Sequence, residues 1–291
     1  MKNKKIILVT GGAGFIGSHL IEELVKDENN QVISLDNYFT GSKNNHIEGA
    51  EYIEGHTKDI ERLITVKPYI IYHLGEYSRV LTSFEDIELV WDMNKIGTFK
   101  VLEFCKKNHI RLIYAGSSTK FGEFSDNNGN GKDQSPYAYF KSTNTDLVNN
   151  YGLWFALDYA ITYFYNVYGG REIRDGKYAT VIGIFTDKFK KEKKLKVFSP
   201  GTQTRAFTHI DDIVRGLILV AKKGQGDGHC IGTEKNYSIL EIAEMFGGEV
   251  EMLPEKKGDR NFSKIDLTKM KELGWSAQID IKDYIQNKQY E

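Results

Sequence analysis

The chain has 291 residues, 40% hydrophobic and 27% charged, enough apolar material for one large core or two smaller ones. A formal net charge of −1 gives no overall pull toward nucleic acid or an anionic membrane, and no stretch is apolar for long enough to cross a bilayer. Only Cys105 and Cys230 are present, far apart, and the seven histidines show no metal-binding spacing, so a reduced, cytoplasmic protein without a metal site is expected.

The apolar run after the N-terminal lysines stops at Gly11, too short for a signal peptide core, and reads as a buried strand. Strands are predicted at 5–9, 31–35, 52–54, 70–74, 111–115 and 159–165. Helices are predicted at 15–26, 57–65, 92–107 and 137–155. Strands this apolar are buried on both faces, which means a parallel sheet with helices above and below. The βαβ order makes the fold class α/β, a doubly wound parallel-sheet Rossmann domain. Past residue 168 the rhythm loosens, with a helix at 178–190, an extended piece at 196–198, a helix at 211–222 and a capping box from Ser238 to Glu241. That second half predicts a smaller C-terminal α/β substrate lobe. The dinucleotide domain is placed at 1–167 plus about 208–232, and the lobe at 168–207 and 233–291.

Gly11, Gly14 and Gly17 form GxxGxxG between the first strand and the first helix. Such glycines let the chain turn sharply, let backbone approach a pyrophosphate and let helix and strand pack closely. The helix start, with Phe15 and Ile16, then offers free N–H groups and a positive dipole end to the phosphates. Asp36, 19 residues after Gly17, ends the second strand, with Asn37 behind it. Its carboxylate suits a ribose diol and repels a 2′-phosphate, so NAD is expected rather than NADP.

Tyr137 and Lys141 are four apart on a predicted helix and share a face. A free tyrosine titrates near ~10 and is a poor base at neutral pH. A lysine ammonium and a cationic nicotinamide beside it favour the phenolate, giving a group that takes a hydroxyl proton as hydride leaves the same carbon. Ser117 lies just beyond the fifth strand, at the carboxyl edge where such sites form, and can hydrogen-bond the same oxygen.

The segments TGGAGFIGSHL, LDN (35–37), HL (73–74), AGSSTKFG, YAYFK, NVYG (166–169), TRAFTHIDD (204–212) and the late LGW (273–275) resemble the extended short-chain dehydrogenase/reductases, and within them the nucleotide-sugar epimerase/dehydratase branch, UDP-glucose 4-epimerases in particular. The resemblance covers nearly the whole chain. It implies a catalytic trio of Ser117, Tyr137 and Lys141. It implies NAD contacts from Gly11, Gly14, Gly17 and Asp36, with Asn94 and Lys141 near the nicotinamide-side ribose. It also implies a sugar-nucleotide contact at Asn166 and a diphosphate clamp at Arg205. Glu76, Tyr77 and Ser78, in GEYSR after the fourth strand, are candidate sugar contacts, the alternative being a plain loop.

The departures from the family pattern also inform. Sugar 4,6-dehydratases carry an Asp-Glu pair after the catalytic serine or threonine; Ser118 and Thr119 stand there instead, which argues against that elimination. His56 replaces an aspartate near the adenine. Lys256 stands where a second diphosphate arginine is common, with Lys257 and Arg260 as neighbours that can share the grip. Ser263 falls near the position that gates the sugar pocket, and its small size would admit a 2-acetamido sugar. The expected activity is an NAD-dependent C4 epimerisation of a nucleotide-linked hexose. The rivals are an NAD(P)H-dependent 4-keto-sugar reductase and a non-catalytic NAD-binding sensor. The expected partner beyond the nucleotide-sugar substrate is a second copy, paired through the helices at 92–107 and 137–155, with no nucleic acid and no membrane.

Overall fold

In a computed structural model, residues 4–123, 134–255, 262–263 and 265–287 are described. Seven strands form one sheet: β1 (Lys5–Thr10), β2 (Asn30–Asp36), β3 (Ala50–Glu54), β4 (Ile70–His73), β5 (Arg111–Ser117), β6 (Tyr159–Phe164) and β7 (Gly226–Ile231). Their order across the sheet is β7-β6-β5-β4-β1-β2-β3, and every neighbouring pair is parallel. Helices cover both faces, among them α1 (Phe15–Leu24), α2 (Gly97–Asn108), α3 (Pro136–Phe155), α4 (Val181–Lys190), α5 (Ile210–Lys223) and α6 (Ile239–Phe246). The doubly wound Rossmann architecture expected from the apolar strands is therefore present.

The strands are apolar because both faces are covered. Leu8, Val9, Ile71, Leu112, Ile113, Ala160 and Ile161 are all fully buried in the main core. β7 was not among the predicted strands. Its sequence, GDGHCI, carries two glycines and no alternation, and its pairing with β6 has an irregularity between Gly226 and His229. Tertiary pairing holds it where local preference does not. Cys105 and Cys230 are free and buried.

A second core gathers Tyr168, Ile182, Phe185, Leu195, Val197, Phe207, Ile242, Phe246 and Tyr284. It is built from α4, α6, a parallel strand pair (Leu195–Phe198 with Val250–Leu253) and the C-terminal helix Ile281–Gln286. Helix α6 opens with the expected capping box: Glu241 N donates to Ser238 Oγ at 3.1 Å, and Ser238 N to Glu241 Oε2 at 2.7 Å. No described helix is long and apolar enough to cross a membrane.

The strand order reverses between β1 and β4, and the backbones meet closely there. Gly11 has φ +74°, and a Cβ on it would lie 2.8 Å from Gly75 Cα. Only glycine fits that crossing, which opens the crevice at the carboxyl ends of the strands.

Candidate active site

One cleft of about 440 Å³ runs along those carboxyl ends, within the range of small-molecule sites. Gly11, Gly14, Phe15, Ile16, Gly17, Asp36 and Asn37 line one end of the set, and Glu76, Ser78, Ser117, Tyr137, Lys141 and Asn166 line the same cleft. Residues spread from position 11 to position 166 thus line one cleft.

The dinucleotide end fits its cofactor. Gly14 caps α1 without a side-chain hydrogen bond, and the first turn of α1 holds no acidic residue. The helix therefore presents its N–H groups and dipole to an anion without internal competition. A Cβ on Gly17 would collide with the Gly11 carbonyl oxygen. Asp36 is 6% exposed, and its two oxygens accept from Ala13 N and Tyr38 N, each at 2.8 Å. Burial raises its carboxyl above the ordinary carboxylate range, against the pull of those donors. Asn37 is exposed, its Oδ1 accepting from Phe39 N at 3.1 Å within the same loop. His56 borders a small recess with Asp36 and Asn37, accepts from Lys58 N at 3.0 Å and lies 3.3 Å from Asp92.

Helix α3 carries the candidate catalytic side chains Tyr137 and Lys141. Ser135 caps it, accepting from Ala138 N at 3.1 Å, and Pro136 follows at the first turn. Tyr137 is 8% exposed, and its hydroxyl donates to Ser117 Oγ at 3.1 Å. Ser117 Oγ also lies 2.9 Å from Thr119 Oγ1. The two positions after Ser117 thus supply hydroxyls, one of them spent on Ser117 itself.

Lys141, one turn along, is tied down. Its ammonium donates to the Ala115 carbonyl and to Glu76 Oε2, and sits 4.6 Å from the centre of the Tyr114 ring. Glu76 Oε1 accepts from Thr98 Oγ1 at 2.8 Å and from Tyr114 OH and Asn144 Nδ2, each at 3.2 Å. Thr98 Oγ1 is also 3.0 Å from His73 Nε2, whose Nδ1 is 2.7 Å from Thr10 Oγ1. Burial pushes the His73 imidazole down to about 4, so the ring is neutral at pH 7. Glu76 was expected among the sugar contacts; the structure makes it the counter-ion of Lys141 as well as part of the cleft wall.

Other positions settle differently. Asn94 lies in a widened π-type turn, Trp91–Ile96, and is fully buried. Its Oδ1 accepts from Tyr77 N at 2.7 Å and its Nδ2 donates to Tyr77 O at 3.0 Å, so the amide fastens the loop after β4 and does not line the cleft. Tyr77 lines the cleft but is 1% exposed, packed with Tyr137 and Phe140, and its hydroxyl donates to Asp86 at 2.9 Å. Asn166 donates to the Ala206 carbonyl at 2.9 Å from a left-handed backbone with φ +34°. Arg205 sits on the strand Thr204–Ala206, donates to the Thr204 carbonyl at 2.8 Å, and is not part of the cleft wall; Phe207, two residues on, is. The backbone at Ser263 pairs with Gly122, just past the Ser117 turn. Lys256, Lys257 and Arg260 lie outside the described residues.

Arg79, Thr180 and Phe207 also line the cleft and are not among the residues singled out from the sequence, although Arg79 ends GEYSR and Phe207 lies in TRAFTHIDD. They come from three separate segments, and no spacing rule joins them.

Similarity to known proteins agrees with this geometry. Residues 7–232 match the model of the NAD dependent epimerase/dehydratase family. A putative UDP-glucose 4-epimerase of Methanocaldococcus jannaschii is 34% identical, covering 96% of each chain. UDP-glucuronic acid decarboxylase 6 of Arabidopsis thaliana is 31% identical over 95% of this chain and 85% of its own. Among solved structures, a UDP-glucose 4-epimerase of Thermotoga maritima with UDP-glucose superposes at TM-score 0.90 with 28% identity, covering 98% of this chain and 97% of the other. With the glycine turn, Asp36 and the open helix start all fitting the dinucleotide, the cofactor is NAD. The chain is a member of the NAD-dependent epimerase/dehydratase family of nucleotide-sugar enzymes.

Proposed function

We propose that this chain is an NAD-dependent epimerase that inverts C4 of a nucleotide-linked hexose through a 4-keto sugar. The observation that carries the reading is the Tyr137 hydroxyl 3.1 Å from Ser117 Oγ in the cleft that also holds the dinucleotide turn. Tyr137 takes the proton of the sugar 4-hydroxyl, and Ser117 holds the same oxygen while the carbon is a ketone. NAD, when bound, would supply the acceptor and donor for the C4 hydride. Tyr137 returns the proton after the ring has turned and the hydride has arrived on the other face. Lys141, held by Glu76 and Ala115, keeps a positive charge fixed beneath this pair. Ser118 and Thr119 bring no carboxyl group next to Ser117, so nothing there is placed to drive elimination across C5 and C6.

The second unit, 168–207 with 233–291, is the proposed nucleotide-sugar lobe. In it Arg205, with the segment around Lys256, is the proposed grip on the diphosphate, a role suited to guanidinium geometry. Two copies are proposed to pair through α2 and α3. Phe99 on α2 and Tyr139, Leu153, Trp154 and Phe155 on α3 are exposed apolar side chains, Leu153 at 81%.

Tyr137→Phe is the direct test. Turnover of the hexose substrate should fall at least about a hundredfold, the scale of a lost general base, with NAD still bound. A rate within about twofold of wild type would remove Tyr137 from the role of base.

A further inference from the structure

One charged side chain of the cleft has no part in the reaction proposed above. Arg79 ends the GEYSR segment after β4 and lines the same cleft as Ser117 and Tyr137. Its Nε donates to the Tyr178 carbonyl at 2.7 Å, and its Nη1 to Ser78 O at 3.1 Å and Ser78 Oγ at 3.3 Å. These bonds fix the guanidinium plane and leave Nη2 without a hydrogen-bond partner among the described residues.

The guanidinium is also short of an opposite charge. Burial lowers its affinity for the proton, and the neighbours that would raise it are Tyr137, Tyr77 and Glu172. Glu172 is no fixed anion. Burial pushes its carboxyl up to about 7, and its oxygens already accept from Thr180 Oγ1 and, at 3.5 Å, from Gly169 N. The other charges of the cleft are committed: Lys141 to Glu76, and Asp36 to the backbone at the dinucleotide end. A half-buried guanidinium with no anion beside it favours an anionic ligand, and its remaining Nη2 can donate to a carboxylate oxygen.

Position decides which anion. If C4 of the sugar reacts at Tyr137, the carbon next to it, C5, carries C6 close to the same residues. The diphosphate hangs from C1, across the ring. We infer that Arg79 recognises a carboxylate at C6, so that the preferred substrate is a nucleotide-linked hexuronate. This inference rests on the nucleotide-sugar reading above.

The test is calorimetric titration of the NAD-loaded protein in the Tyr137→Phe background, which blocks turnover, with UDP, UDP-glucose and UDP-glucuronate. UDP-glucuronate should bind at least about tenfold more tightly than UDP-glucose, the scale of one charge-assisted hydrogen bond. Adding Arg79→Met should abolish that margin and leave UDP within about twofold, which also shows that the site is intact. Arg79→Lys, which keeps the charge but not the bonds that fix the guanidinium plane, should keep part of it. Equal binding of the two sugars without any change at Arg79 overturns the inference, whatever the variants do. Loss of UDP affinity in the folded Arg79→Met protein overturns it too, since the guanidinium then serves the diphosphate. UDP binding with no preference for the uronate sinks this inference alone. Failure of all three ligands to bind sinks the nucleotide-sugar reading and this inference with it.

Discussion

The Glu76 carboxylate is buried against the Lys141 ammonium, the two side chains being 4% and 5% exposed. Opposite charges out of water repay their desolvation only when every remaining donor and acceptor is satisfied. Here Thr98, Tyr114, Asn144 and the Ala115 carbonyl complete the set. Glu76→Ala leaves the ammonium without its anion and should cost about 3 kcal/mol or more in urea unfolding. Glu76→Gln keeps the shape and one acceptor, so it should fold, with kcat lowered about tenfold and KM within about twofold. Steady-state kinetics on purified variants checks this; a Glu76→Gln enzyme with unchanged kcat would confine Glu76 to the fold.

Asp36 gives the cofactor end a pH signature. Burial raises its carboxyl, so it takes up a proton at a higher pH than an exposed aspartate does. A protonated carboxyl accepts one hydrogen bond fewer from a ribose diol. NAD affinity should therefore weaken on acidification at a higher pH than an exposed aspartate would give, and Asp36→Asn should flatten that dependence while narrowing the preference for NAD over NADP. Fluorescence titration of both dinucleotides at several pH values reads both effects.

His73 sets a stability slope. Its folded value of about 4 lies below the ordinary ~6.5, so between those limits the unfolded chain binds a proton that the native chain does not. Native stability is then unaffected by this group above pH ~6.5 and falls as pH drops toward 4. The loss from pH 7 to 5 should be about 2 kcal/mol. His73→Gln, still able to bridge Thr10 and Thr98, should remove that part of the slope in urea titrations at the two pH values.

The proposed pairing of two copies rests on exposed apolar side chains at the end of α3. Leu153→Glu with Trp154→Glu should convert a dimer to a monomer in sedimentation at micromolar concentration. A wild-type monomer under those conditions would remove the pairing.

The parts of the site legible in the sequence are those written in short spacing. Gly11 and Gly17 announce a turn because a side chain at Gly11 would strike Gly75 and one at Gly17 would strike the Gly11 carbonyl. Tyr137 and Lys141 announce a shared helix face. Glu76 and Lys141 are 65 residues apart, and nothing local in GEYSR says that its acid points inward to a helix it precedes. Asn94 looked like a cofactor contact because its position in the chain matches one; its amide is spent on the Tyr77 backbone. Arg79 was invisible for the same reason as Glu76, since its surroundings come from the separate stretch around Tyr178. β7 was missed because its pairing partner, not its own residues, makes it a strand.

In the proposed reaction C4 is oxidised and reduced on the same enzyme with its hydride conserved. The most direct measurement is proton NMR of UDP-glucose and UDP-glucuronate incubated in D₂O with the NAD-loaded protein. Appearance of the C4 epimer with hydrogen, not deuterium, retained at C4 and C5, and no net consumption of NAD, is the expected result. Loss of C6 to give a pentose, deuterium entering at C5, or stoichiometric use of a reduced nicotinamide would contradict it.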